Sequence, residues 1–128
     1  MAETDPNAVS GDIVDAAIKV HRELGPGLLE STYEACLSYE LRKRGLEVRS
    51  QVGLPVVYEE VELEVGYRID LLVEGLVIVE LKSVVSLEPI HEAQLLSYLK
   101  LSGLKVGLLL NFNVRMMKRG IKRLVNGL

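Results

Sequence analysis

The chain has 128 residues, one cysteine and a formal net charge of −3, with 48% hydrophobic and 26% charged residues. That balance excludes a disordered or collagen-like chain and predicts a single domain, 1–128, able to bury its own core. The lone Cys36 excludes an internal disulfide and points to a reducing, cytoplasmic setting, and neither a secretory leader nor the roughly 20-residue apolar run of a membrane span is expected.

Residues 1–7 are polar and are expected to fray. Val9, Ile13, Ala17, Val20 and Leu24 then recur at spacings of three and four, which is one face of a helix, and Gly25-Pro26-Gly27 stops it. A second helix is predicted from Leu29 to Arg44, with the inner stripe Leu29, Tyr33, Cys36, Leu37 and Leu41 and with Gly45 as its cap. The period then shortens to two. Leu46, Val48 and Val52 alternate with polar residues, and Val61, Leu63 and Val65 alternate with glutamates, predicting a strand with one wet face. Tyr67–Val73 and Leu76–Lys82 are apolar runs joined at Glu74-Gly75, a hairpin signal. A third helix is predicted from Pro89 to about Leu101, closed by Gly103. Leu104–Phe112 reads as a strand buried on both faces. The remaining segment reads as a short helical turn, broken at Gly120, followed by a strand. The order is α, α, three or four strands in a meander, α, β. It predicts an α/β (α+β) domain with a mixed sheet of about four to five strands flanked by helices. Val56–Tyr58 and Leu104–Phe112 are also candidate sticky edges or partner surfaces.

Charge is unevenly spread. Residues 111–128 hold Arg115, Lys118, Arg119, Lys122 and Arg123 and no acid, so the rest of the chain carries −8. This basic end is a candidate contact for nucleic acid on an otherwise acidic body, or simply a solvated face.

Polar residues within apolar strands mark the chemistry. Asp70 interrupts Ile69-Asp70-Leu71-Leu72, while Glu80 and Lys82 interrupt Val77–Lys82. A buried carboxylate costs several kcal/mol unless it is paired or holds a cation. Glu80 and Lys82, two apart, share a strand face. Asp70 joins them only if the hairpin loop is odd or bulged near Gly75. A two-residue loop pairs 70 with 79 and turns Glu80 away. A three-residue loop pairs 70 with 78 and 68 with 80, and gathers all three on one face. The alternative is an internal Asp70–Lys82 salt bridge with Glu80 on a wet edge. Hard oxygen ligands suit Mg²⁺ or Mn²⁺, and nothing resembles a zinc site.

Asp70 with Glu80-Leu81-Lys82 resembles the signature of the PD-(D/E)XK nuclease superfamily, with Ile69 in place of the proline. Gly27-Leu-Leu-Glu30-Ser-Thr-Tyr33 resembles the pattern that names its GxxExxY family, as do His21–Tyr33 more widely, Gln94–Tyr98 and Asn111-Phe112-Asn113. The resemblance implies a restriction-endonuclease-like three-layer core. It also implies a cation held by Asp70, Glu80 and the carbonyl of Leu81, with Glu30 reaching it directly or through water and Lys82 as catalytic lysine. Gln94 and Tyr98 match a Q-x3-Y helix element that helps place the scissile strand. His91, three residues before Gln94, and Tyr33 join them as substrate-positioning candidates. Tyr33 equally fits core packing, and His91 and His21 equally fit satisfied or solvent-facing histidines. The resulting reading is a Mg²⁺- or Mn²⁺-dependent nuclease acting on DNA, with RNA not excluded. So small a chain leaves target choice to a homodimer or partner subunit. The alternative is a catalytically silent binding module on the same fold.

Overall fold

The computed structural model describes residues 5–127. Helix α1 spans Pro6–Leu24, and the Asp5 carboxylate accepts a hydrogen bond from the Asn7 N–H at 2.9 Å to cap it. Residues 5–7 are thus a cap and a first turn rather than a frayed end; residues 1–4, the rest of that expectation, lie outside the described residues. Val9, Ile13, Ala17 and Val20 are buried as the periodicity predicts, but Leu24, at the helix end, is 39% exposed. Helix α2 spans Glu30–Lys43. Leu29 is its N-cap and 73% exposed, so the inner stripe begins at Tyr33. Its C-terminus is a Schellman turn, in which Leu46 N–H donates to Leu41 and Gly45 N–H to Arg42, with Gly45 at φ 88°.

A five-stranded sheet has the order β1-β4-β5-β6-β7, formed by β1 (Val48–Gly53), β4 (Arg68–Val73), β5 (Val77–Lys82), β6 (Val106–Asn111) and β7 (Ile121–Val125). All neighbours are antiparallel except β5 and β6, which the crossover helix α3 (Pro89–Ser102) makes parallel. Two layers of helix sandwich it. Val9, Ile13, Leu37 and Leu41 of α1 and α2 pack on Leu71, Val79 and Leu108, while Leu95 and Leu99 of α3 pack on Ile69, Ile78 and Leu109. Each such fully buried aliphatic side chain contributes about 1.5–3 kcal/mol. The mixed three-layer architecture is the predicted one.

The meander is not. Strands β2 (Val56–Tyr58) and β3 (Val61–Leu63) pair only with each other, as a hairpin inserted between neighbours β1 and β4. Strand β3 is exposed along its whole length instead of having one wet face. β6 is buried throughout, between β5 and β7, so Leu104–Phe112 presents no free edge. After β6, a single 3-10 turn (Met117–Gly120) leads into β7, as expected. Among the described residues, no helix is long and apolar enough to cross a membrane.

Candidate active site

The site grows from a defect in the β4–β5 hairpin. Glu74 and Gly75 both adopt left-handed backbone, at φ 55° and 65°. Leu76 N–H closes the turn on the Val73 carbonyl at 3.0 Å. The ladder resumes with Val73 opposite Val77, so the loop holds three residues, Glu74-Gly75-Leu76, and has the odd parity the site requires. The register differs by two residues from the expected one: Leu71 faces Val79, so Asp70 comes opposite Glu80 rather than residue 78.

Regular pairing ends there, and side chains replace the ladder. The Asp70 N–H donates to Glu80 Oε2 at 2.8 Å, and the Leu81 N–H donates to Asp70 Oδ2 at 2.9 Å. The strand changes face at the same point. Leu71 and Val73 enter the core beneath α1 and α2, yet Ile69 enters the core beneath α3, where strict alternation would put it with Leu71. Its partner β1 kinks alongside, since Gln51, between Ser50 and Val52, has φ 53°. Left-handed backbone at a non-glycine residue inside a strand is strained, and such residues cluster at functional sites.

Burial and neighbouring charges set the electrostatics. Burial, then the Asp70 charge, push the Glu80 carboxyl up to about 8, against the opposing pull of the Asp70 N–H and the Lys82 ammonium. Burial likewise raises Asp70, opposed by the Leu81 N–H and Lys82. The lysine therefore acts on both acids, and the simple Asp70–Lys82 salt bridge is not what forms. Glu30 faces the end of β5, its carboxylate accepting from the Ser83 N–H at 3.2 Å, and the Ser83 hydroxyl donates to the Leu28 carbonyl.

Two residues of the site escaped the sequence reading. Gln51 donates to Glu34 at 2.9 Å and to Asp70 at a long 3.4 Å. Burial raises the Glu34 carboxyl, as the neighbouring Asp70 charge also does. Glu34 was findable, standing four residues after Glu30 on the same helix face. Gln51 was not, because nothing local marks its backbone as left-handed.

Lys82 opens onto a cavity of about 510 Å³ between α3 and the inserted hairpin, where it meets His91, Gln94 and Tyr98. These three substrate-positioning candidates are thus brought together beside the lysine. His91 also has a structural duty, since its Nδ1 accepts from the Glu88 N–H at 2.9 Å and caps α3. Tyr33 is different. It is fully buried, stacks on Phe112 with ring centroids 4.5 Å apart, donates to the Gly25 carbonyl at 2.5 Å and accepts from the Leu28 N–H at 3.1 Å. A side chain with no exposed surface cannot touch a substrate, so Tyr33 pins the Gly25–Leu28 turn ahead of Glu30. His21 is the satisfied histidine of the alternative reading, its Nε2 lying 2.6 Å from the Val114 carbonyl. Cys36 is a free thiol, half-buried at the core margin.

The basic residues divide. Arg115 and Arg119 border a cleft with Val85 and Asn113, at the loop that leaves β5 just after Lys82. Lys118 borders a groove with Ile18 and Arg22 of α1. Lys122 is paired with Glu92 at 3.6 Å, and Arg123 is bonded to Asn7.

Among the described residues, no three His, Cys, Asp or Glu side chains gather as a metal-holding group. Glu80, Asp70 and Glu30 are each turned to a backbone N–H instead. The donor chemistry nevertheless fits a hard cation, because a buried Glu80 and a half-buried Asp70, both with raised proton affinity, are what a divalent ion would relieve.

A family model described as the PD-(D/E)XK nuclease superfamily matches residues 7–124. No curated protein and no solved structure matches the chain.

Proposed function

The chain belongs to the PD-(D/E)XK nuclease superfamily, and on that premise we propose that it hydrolyses phosphodiester bonds of DNA at the Asp70–Glu80–Lys82 site with the help of Mg²⁺ or Mn²⁺. Its mixed sheet between helical layers is consistent with a restriction-endonuclease-like fold. The observation that carries the reading is the buried Glu80 and half-buried Asp70, whose carboxylates accept backbone N–H bonds across a broken ladder within reach of the Lys82 charge. A fold maintained only for stability gains nothing from two such acids side by side.

In this reading Asp70, Glu80 and the Leu81 carbonyl hold the cation, with Glu30 reaching it directly or through water. The bound cation supplies charge neutralisation at the phosphate and a more acidic water. Lys82 orients the attacking water or meets the charge that develops on the phosphoryl oxygens. Gln51 ties Asp70 to Glu34 and so keeps the acid aimed at the site. Gln94, Tyr98 and His91 line the strand's path past Lys82, and Arg115 and Arg119 receive phosphates further along it, with Lys118, Lys122 and Arg123 adding a weaker field. The Gly27–Tyr33 segment supports assignment to the GxxExxY branch, one catalytic domain fills the chain, a homodimer or partner subunit supplies target choice, and the thiol Cys36 suits the cytoplasm.

Supercoiled plasmid and single-stranded DNA, incubated with Mg²⁺ or Mn²⁺, test the reading. Wild type should nick or degrade DNA, and Lys82→Ala and Asp70→Asn should each lose at least 100-fold in rate, roughly the weight of one general catalytic group. Activity that survives both substitutions would remove the site.

A further inference from the structure

Beyond Lys82, the cavity continues into a surface that the hydrolytic reading leaves unused. Tyr67, Ile90 and Val56 form its outer wall, with Tyr98 at its base. Tyr67 is 47% exposed and Ile90 is 70% exposed, unusual for large apolar side chains beside a charged site. The Tyr67 and Tyr98 rings meet at 6.0 Å and 57°. They form a corner, not a closed stack, and half of Tyr67 stays open to solvent. The wall extends along the inserted hairpin. Val56 pairs with Leu63 and Tyr58 with Val61. Paired residues of an antiparallel ladder share a face, so Val56, Leu63, Tyr58 and Val61 make one apolar platform running outward from the cavity. Glu62, paired with Val57, lies on the opposite face. Among the described residues no Asp or Glu lines the cavity, while Lys82, His91, Gln94 and Ser97 do.

We propose that this cavity and platform bind unpaired nucleobases next to the scissile phosphate, making single-stranded or splayed DNA, rather than intact duplex, the substrate class. The inference rests on the nuclease reading above. A duplex keeps its base faces stacked against one another, whereas an unpaired base offers a π-face to an open aromatic side chain. Gln94, His91 and Ser97 give polar partners to a base edge at the rim, and Lys82 lies at the inner end, where the adjoining phosphate must be. The acid-free lining matters because the chain elsewhere carries a net excess of acids, and the charges of Glu80 and Asp70 bear on the cavity at its base, Tyr98, and its inner end, Lys82. A protein partner filling the same cavity would cover Lys82, which sets the surface apart from an ordinary docking patch.

Fluorescence anisotropy tests this with labelled oligothymidylate and a duplex of equal length, with Ca²⁺ replacing Mg²⁺ and strand integrity checked on a gel. Wild type should bind the single strand more tightly. Tyr67→Ala should weaken that binding by roughly 5- to 150-fold, the loss seen when one stacking aromatic is removed, and Tyr67→Phe should retain it. Abasic residues placed in the strand should weaken binding to wild type in the same way, with no altered protein involved. Equal affinity for duplex and single strand, or an unchanged Tyr67→Ala, overturns the inference. So does sedimentation in which Tyr67→Ala breaks a dimer and leaves anisotropy unaltered, since the face would then belong to a second copy. Plasmid cleavage is read separately. Strand preference without cleavage leaves the base pocket standing and removes the nuclease reading; cleavage without strand preference does the reverse.

Discussion

A carboxyl group held at about 8 keeps its proton at neutral pH, and Glu80 is such a group. Its ordinary value is 4.5, so between the two the unfolded chain has lost a proton that the folded chain retains. Stability from this residue is therefore greatest below about pH 4.5, falls as pH rises to about 8, and levels off above; the span is on the order of a few kcal/mol. Asp70, raised in the same direction, adds to the slope. Glu80→Gln carries no such proton, so its melting temperature should exceed that of wild type by a margin that widens from pH 5 to pH 8. Parallel melting curves would refute this. Millimolar Mg²⁺ at pH 8 should raise the wild-type melting temperature and leave Glu80→Gln nearly unmoved, a readout of cation binding independent of turnover. Tyr33 makes the opposite case. Tyr33→Phe removes the hydroxyl that joins the Gly25 carbonyl to the Leu28 N–H, so urea unfolding should show a loss of about 1–3 kcal/mol, with the cleavage rate per folded molecule close to wild type. A lower rate at unchanged stability would return Tyr33 to the substrate.

At the level of elements, close approach decides more than periodicity. A Cβ on Gly120 would lie 2.0 Å from the Asn111 backbone oxygen. The Asn111 side chain holds the loop after Lys82, accepting from the Val84 N–H at 3.1 Å and donating to the Val84 carbonyl at 3.0 Å. Gly120→Ala should therefore cost about 2–3 kcal/mol in denaturant unfolding and raise KM by loosening that loop. Gly11, within α1, has open space where its Cβ would be, so Gly11→Ala should stabilise by about 0.5–1 kcal/mol. Equal effects of the two alanines would show that the contact is not what matters. The same contrast explains what the sequence made legible. Helices, strands and Asp70, Glu80 and Lys82 could be read because apolar periodicity and its polar interruptions are local signals, whereas Glu30 came only from the resemblance of the Gly27–Tyr33 motif. The odd hairpin could be posed as a requirement but not decided, because loop residues alone do not set register. The exchange of faces at Asp70, the left-handed Gln51 and the separate β2–β3 hairpin depend on contacts distant in sequence, and neither period nor propensity records them. Tyr33 fitted a core stripe and a motif at once, and only its burial separated the two.

Over the whole molecule, the net charge of −3 conceals a separation of signs. Acids crowd the inserted hairpin and strands β4 and β5, while the basic side chains of residues 111–128 follow β6 to the far side of the loop leaving Lys82. A polyanion approaching the site is repelled by the acidic body and drawn by this segment, so its members should be unequal. Among the described residues, Arg115, Lys118 and Arg119 make no ion pair, whereas Lys122 is engaged by Glu92 at 3.6 Å and Arg123 by Asn7. Each free cation that meets a phosphate releases counterions and steepens the dependence of log Kobs on log salt by about 0.7 for single strands to 0.9 for duplex. Titrations of DNA binding against NaCl should therefore show Arg115→Ala and Arg119→Ala each flattening the slope by about 0.7 on single strands. Lys122→Ala should change it less, because that ammonium already faces Glu92 in the free protein. If the Arg115→Ala/Arg119→Ala double variant kept the wild-type slope, the strand would have to leave Lys82 by another route, and the basic segment would be only a solvated face.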